Sequence, residues 1–390
     1  MNRKRPLSAF IALIFIAALA CNLPGTGGSP TVEATPEEGS PIASETPTEE
    51  ATPTSEPIPE PRVVVFQAGN FELYNLDGSL SETRPAAGLA SWAHPNQFQV
   101  VGDSIYYVDS GGASIGGSVK RVTTSGVEDL AFTAVPNLAK LSFSVSAEET
   151  MIAWAAGAWG NSELWMSRMD GSSVQSITQS SPADALEDFY VLEVYRWTQD
   201  TTPLFTWQIS GIGDLLYFGY SSMYEFLPAT SEIVALYEAP VAGGMPCWSA
   251  VSADDVYLVG MCDSGSGVPG MREREIGTGI ETVFPVLPDQ QQSGAAAYSP
   301  SGGKLAFAYG ARGADPDDIS GSIAVRNALG GDPVVLTSIV DGYFQKIEWA
   351  SEDLLIVQGT ETWVTKTYLL ATDGTLTHLA DGELIGLMWP

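Results

Sequence analysis

YSPSGGKLAFAY (residues 298–309) and SIAVRNALGGDPVVLT (322–337) read in order as an apolar strand, a tight polar turn, a second apolar strand, a variable loop and a third strand ending in a glycine turn. The order recurs in FSVSAEETMIAWAA (143–156) with ELWMSRMDGSSVQSIT (163–178). It recurs again in IEWASEDLLIVQG (347–359) with TYLLATDGTLTHL (367–379). Short runs of Val, Ile, Leu, Tyr, Phe and Trp broken by Gly, Asp, Ser and Pro indicate strands separated by frequent turns, and no sustained helical period competes with them. From Arg62 onward the chain is therefore all-β, and the self-similarity marks it as a repeat architecture.

These repeats resemble the TolB-type, WD-repeat-like propeller repeat, in which a Ser-Pro-Asp-Gly turn precedes an Ile-Ala-Phe strand and an Asp-Gly turn precedes the outermost strand. The resemblance spans roughly residues 62–390 and is closest in the three repeats quoted. It implies four-stranded blades around a ring. The turns before the outermost strands fall at Gly78, Gly126, Gly171, the Pro228–Ser231 turn, Gly279, Gly331 and Gly374, a mean spacing of about 49 residues, which suits one blade each. The expected fold is a seven-bladed β-propeller, with six or eight blades left open. The first repeat, VVVFQAG (63–69) and FELYNLDG (71–78), lacks an innermost strand, and LIGLMWP (384–390) has that character at the chain's end. The C-terminal strand should close blade one. Blade two is ambiguous, because SWAHPN (91–96) and FQVVGD (98–103) compete for its first strand.

The N-terminal part is of another kind. Residues 1–6 carry three basic side chains and residues 7–20, LSAFIALIFIAALA, are almost wholly apolar. That is the order of a secretory signal. Fourteen helical residues rise about 21 Å, short of a hydrocarbon core of about 30 Å, so cleavage is expected rather than a permanent span. Ala18-Leu19-Ala20-Cys21 resembles the bacterial lipobox, which implies lipidation of Cys21 and anchoring on the extracytoplasmic side of a bacterial membrane; ordinary cleavage leaving a free Cys21 is the alternative. Residues 22–61 are mostly Pro, Thr, Ser, Gly, Ala and Glu with no basic and no aromatic residue, a composition that cannot offset its ordering entropy by burial. The expected organisation is a signal peptide (1–20), a lipidated cysteine and disordered linker (21–61) and the propeller (62–390).

The formal charge is −30, from 47 acidic and 17 basic residues. Nucleic acid is excluded as a partner, since no basic patch gathers to meet phosphates. An acidic surface suits solubility, multivalent cations or a basic partner.

Cys247 and Cys262 flank a candidate hairpin, CWSAVSADDVYLVGMC. If its turn centres on Asp254 and Asp255, the cysteines are directly opposed and within disulfide range, in an oxidising compartment. One bulge in either strand would break that register and leave two separate thiols.

No motif supplies catalytic context. Gly112-Ala113-Ser114-Ile115-Gly116 matches the Gly-x-Ser-x-Gly pattern, but lacks the strand-to-helix turn, His and acid that make such a serine reactive. Gly265, Gly267 and Gly270 have dinucleotide-loop spacing, yet MREREIGTG (271–279) reads as a strand and turn, not the required helix. His94 and His378 are the only histidines, too few for a His-rich metal site. Asp315, Asp317 and Asp318 form the densest carboxylate cluster, either a solvated loop or a calcium site. No catalytic residue and no other cofactor is assigned.

In a propeller the loops between second and third strands share a face with the blade-to-blade connections. Residues 109–118, 157–162, 263–270 and 310–321 are the long candidates, with Trp159 and Trp363 in or beside such loops as ligand contacts or, alternatively, caps on the core. The expectation is a membrane-anchored binding or scaffolding propeller without catalysis, taking a protein or an extracellular polymer. The alternative is an extracellular hydrolase or lyase using channel carboxylates. A fold alone decides neither.

Overall fold

The computed structural model describes residues 60–86, 88–89, 97–111, 116–135, 140–158, 161–177, 190–199, 201–209, 222–238, 248–262, 270–313, 318–328 and 330–390. All belong to one compact unit, Pro57–Pro390. Their strands form seven four-stranded antiparallel sheets arranged as blades in a ring. The innermost strands of blades two to seven are Phe98–Val101, Lys140–Val145, Tyr190–Trp197, Trp248–Val251, Gln292–Tyr298 and Gly342–Ser351. Blade one takes its innermost strand from the chain's end: Glu383–Met388 pairs with Arg62–Gln67, with Val63 opposite Leu387 and Val64 opposite Gly386. Phe98–Val101 resolves the ambiguity in blade two; the competing residues 91–96 lie outside the described ones.

The two-residue period of a strand decides which neighbour each side chain meets. Val63 and Val65 pack towards blade seven with Ala350, Ile356 and Leu384. Val64 packs towards blade two with Ile105 and Tyr107, where Ile385 and Met388 join it. The core is accordingly a set of layers between blades, one apolar cluster for each of the seven interfaces. A blade has no core of its own. Both of its faces are buried by neighbours, so removing one strand opens two layers.

The turns after three of the innermost strands follow a local rule. Ser146, Ser252 and Ser299 turn their hydroxyls back onto backbone N–H groups four or five residues ahead, satisfying donors that the turn frees. Three residues after each serine the backbone becomes left-handed, at Glu149 (φ 51°), Asp255 (φ 60°) and Gly302 (φ 71°). Only the last is glycine, which explains why the Ser-Pro-x-Gly signature is plain in one repeat and obscure in others.

The turns before the outermost strands obey two constraints at once. Gly374 has φ 91°, and a Cβ there would lie 2.7 Å from the carbonyl oxygen of Leu336 in blade six. Gly171 has φ 76° and faces Phe132 of blade two at 2.8 Å. Glycine is needed for the turn and for the approach of the preceding blade.

Two expected loops are strands instead. Ala158 pairs with Asn161, and pairing in blade six continues outward to Arg312 opposite Ile319. Gly310 and Gly321 sit opposite each other inside that hairpin. A Cβ on Gly321 would meet the Cα of Tyr343 at 2.6 Å, so this glycine permits close backbone approach between blades rather than a loop.

Candidate functional site

Chain direction divides the ring into two faces. Turns joining first to second and third to fourth strands lie on one, the turn face. Connections joining second to third strands, and each blade to the next, lie on the other, the loop face. The closing strand ends at Met388 and its partner begins at Arg62, so the chain enters the ring on the turn face. Arg62 is fixed there by Glu82 at 2.9 Å and by Asp103, in the first turn of blade two, at 3.2 Å.

Ion pairs bind blades together across the turn face. Arg84, 2% exposed, reaches Asp103 at 2.8 Å. Arg121 holds Glu149 of blade three at 2.9 Å, Arg196 holds Asp255 of blade five at 2.5 Å, and Lys304 holds Asp353 of blade seven at 3.2 Å. In each case a basic side chain of one blade clasps the first turn of the next. An open polar depression of about 430 Å³ lies beside one clasp, lined by Asp103, Arg121, Glu128, Glu149 and the 123–126 turn. Of its charged groups, Arg121 and Glu149 pair with each other, and Asp103 pairs with Arg84 and Arg62.

Near the axis, Lys140 of blade three pairs with the buried Glu193 of blade four. Lys346 of blade seven donates to the Ile385 carbonyl at 2.7 Å, pairs with Glu348 at 3.0 Å and lies 4.8 Å from the centre of the Phe98 ring. Glu383 begins the closing strand at its loop-face end. Burial pushes its carboxyl up to about 7, with Lys346 partly opposing the shift. No described side chain hydrogen-bonds to it. Composition and spacing gave no reason to single out Glu383; only its place in the closed ring does so.

Trp363 stands on the loop face, in the tight turn between the second and third strands of blade seven, and is 77% exposed. Thr362 (φ 47°) and Trp363 (φ 67°) are both left-handed, and Glu361 pairs with Val364 across them. The geometry is that of a two-residue turn usually filled by Asn-Gly. The Thr362 N–H donates to the Asp341 carbonyl at 3.1 Å, tying the turn to the connection from blade six. Trp363 is therefore not a cap on the core.

Trp159, His94, Ser114, Cys21, Asp315 and Asp317 lie outside the described residues. Asp318 is exposed at the edge of the 319–327 strand, and no group of three potential metal ligands occurs among the described residues. His378 lies in the outermost strand of blade seven, 3.0 Å from Asp381. Cys247 also lies outside the described residues. The hairpin beside it has Val251 opposite Leu258, as a turn at Asp254–Asp255 requires, but a bulge then sets Trp248 opposite Gly260.

The sequence matches no family model and no curated protein. Among solved structures, a Bacteroides fragilis protein named as a candidate 6-phosphogluconolactonase shares 16% identity at a TM-score of 0.50, covering 87% of this chain and 99% of that one. A TolB from Acinetobacter baumannii shares 16% identity at a TM-score of 0.41, over 69% of this chain and 61% of its own. An oligogalacturonate lyase in complex with manganese shares 13% at a TM-score of 0.45, over 73% and 75%. Structural neighbours thus include TolB-type propellers and enzymes, and at these identities the likeness bears on the fold alone.

Proposed function

We propose that this protein is a binding or scaffolding propeller held on the extracytoplasmic side of a bacterial membrane by a lipidated Cys21. The observation that carries this reading is the point of entry. The segment after Cys21 joins the ring at Arg62 on the turn face, where the basic side chains are spent on clasping blades. The loop face, with its blade connections and Trp363, is the one opposite that point of entry. Variable connections on a rigid scaffold suit recognition. The linker composition of residues 22–61 suits an extended spacer. Replacement of Cys21 by Ser tests the anchor: the variant should be released from membranes or remain unprocessed, and membrane retention at the wild-type apparent mass overturns it.

A second reading, an extracytoplasmic hydrolase or lyase, draws on Glu383, a carboxyl that titrates near neutrality beside the axis. Turnover of polysaccharide or peptide substrates that is abolished by Glu383→Gln, with the fold intact, would replace the binding reading by this one.

A further inference from the structure

The turn that displays Trp363 costs stability, and the indole itself gives little back to the fold. Left-handed backbone is strained for residues other than Gly, Asn and Asp, and two such residues meet here, Thr362 (φ 47°) and Trp363 (φ 67°), beside the left-handed Asp341 (φ 56°). The indole buries little in return, being 77% exposed. Asn-Gly would close the same hairpin without strain. Strain held at an exposed aromatic points to a contact made outside the domain.

The surroundings define what that contact is. Val340 and Val364 are 76% and 45% exposed and lie within two residues of the hydrogen bond from Thr362 to Asp341, so exposed apolar side chains stand on both connections that this bond joins. Asp341 is exposed and has no ion-pair partner among the described residues. Asp318, on the same face of blade six, has none either. The basic side chain nearest in the hairpin, Lys366, is bound to Glu361 at 2.9 Å. With 47 acidic against 17 basic residues in the chain, and most described basic groups already paired internally, anionic ligands are repelled. A cation over the face of an indole, with aliphatic groups beside it, satisfies every feature of the patch.

We infer that the Trp363 patch binds a basic, extended protein segment, with a guanidinium stacked on the Trp363 indole, aliphatic neighbours against Val340 and Val364, and the Asp341 carboxylate beside the cation. This rests on the binding reading above and names its partner class. Arginine suits the site better than lysine because its planar, weakly hydrated head stacks on aromatic rings.

The test uses end-blocked ten-residue peptides of alternating Arg-Val, Ser-Val and Glu-Val, together with a neutral glucan oligosaccharide, titrated calorimetrically into the propeller. The Arg-Val peptide should bind, more weakly as salt is raised. Trp363→Ala, which leaves the charge unchanged, should weaken it by roughly tenfold or more. The double variant Thr362→Asn with Trp363→Gly should lose the same binding while unfolding at a higher temperature, which separates loss of contact from loss of fold. Equal binding of the Arg-Val peptide to wild type and Trp363→Ala overturns the site. Binding of the glucan but not the Arg-Val peptide, dependent on Trp363, overturns the partner class and leaves the binding reading standing. Binding of none of the probes overturns the inference, whereas the anchor is judged separately by the Cys21→Ser fractionation.

Discussion

The indole of Trp349 in blade seven donates its Nε1 hydrogen to the carbonyl of Ala297 in blade six, 2.9 Å away. Trp197 in blade four makes the same bond to Ser144 of blade three at 2.8 Å. Innermost strands have one edge without a partner strand, and its backbone groups need partners when buried. Gln99 supplies both donor and acceptor to Val145, and the Tyr195 hydroxyl accepts from the Val251 N–H at 3.0 Å. Blades are therefore joined near the axis by side-chain bonds to backbone as well as by apolar layers.

Trp349→Phe should remove one such bond while keeping an aromatic ring in the layer. The expected loss is about 1 kcal/mol, because a half-buried carbonyl loses its indole donor. Urea unfolding measures it, and an unchanged midpoint would show that water replaces the indole without penalty.

Deleting residues 384–390 removes Leu384 from the layer between blades seven and one, and Ile385 and Met388 from that between blades one and two. Trp389 is 43% exposed and adds less than its size suggests. Three buried side chains at about 1.5–3 kcal/mol each are comparable with a whole domain's stability of about 5–15 kcal/mol. The truncated protein should aggregate or lose its cooperative thermal transition; a soluble product melting at the wild-type temperature contradicts closure of the ring by this strand.

Gly374→Ala and Gly69→Ala make a matched pair. Both positions are left-handed, at φ 91° and 82°, but a Cβ at 69 meets nothing within 4 Å whereas one at 374 meets the Leu336 carbonyl at 2.7 Å. Each should lose about 1–2 kcal/mol to strain, with a further loss at 374 only. Equal shifts in thermal midpoint would mean that the blades separate freely at the rim.

Glu383 and Glu82 should give stability opposite dependences on pH. The folded carboxyl of Glu383 titrates at about 7 rather than 4.5, so the native state holds the extra proton between those values and this contribution is lost as pH rises through 7. For Glu82 the hydrogen bond from Arg84 holds the carboxyl below 4.5, and its contribution is lost only as pH falls through that lower value. Glu383→Gln should consequently raise the melting temperature more at pH 8 than at pH 5. A shift of equal size at both values would show that Glu383 does not titrate in this window.

Much of the fold was determined by sequence alone, because its rules are local. A strand's apolar alternation, and the Gly or Ser231 that turns it before the outermost strand, lie within a few neighbouring residues, so the seven turns and the strand that closes blade one could be read directly. Only the tertiary structure decided the rest. Gly321 looks like loop punctuation until Tyr343 of the next blade is set against it, and the register beside Cys247 depends on a bulge that no spacing announces. Trp363 could be picked out as a candidate from its loop, but its exposure, its strained turn and its tie to Asp341 arise where blades six and seven meet. Glu383 acquires its raised pKa only once the chain's end is buried beside Lys346. Local preference writes the blade, whereas contacts between residues far apart in the chain, set by ring closure, make the site.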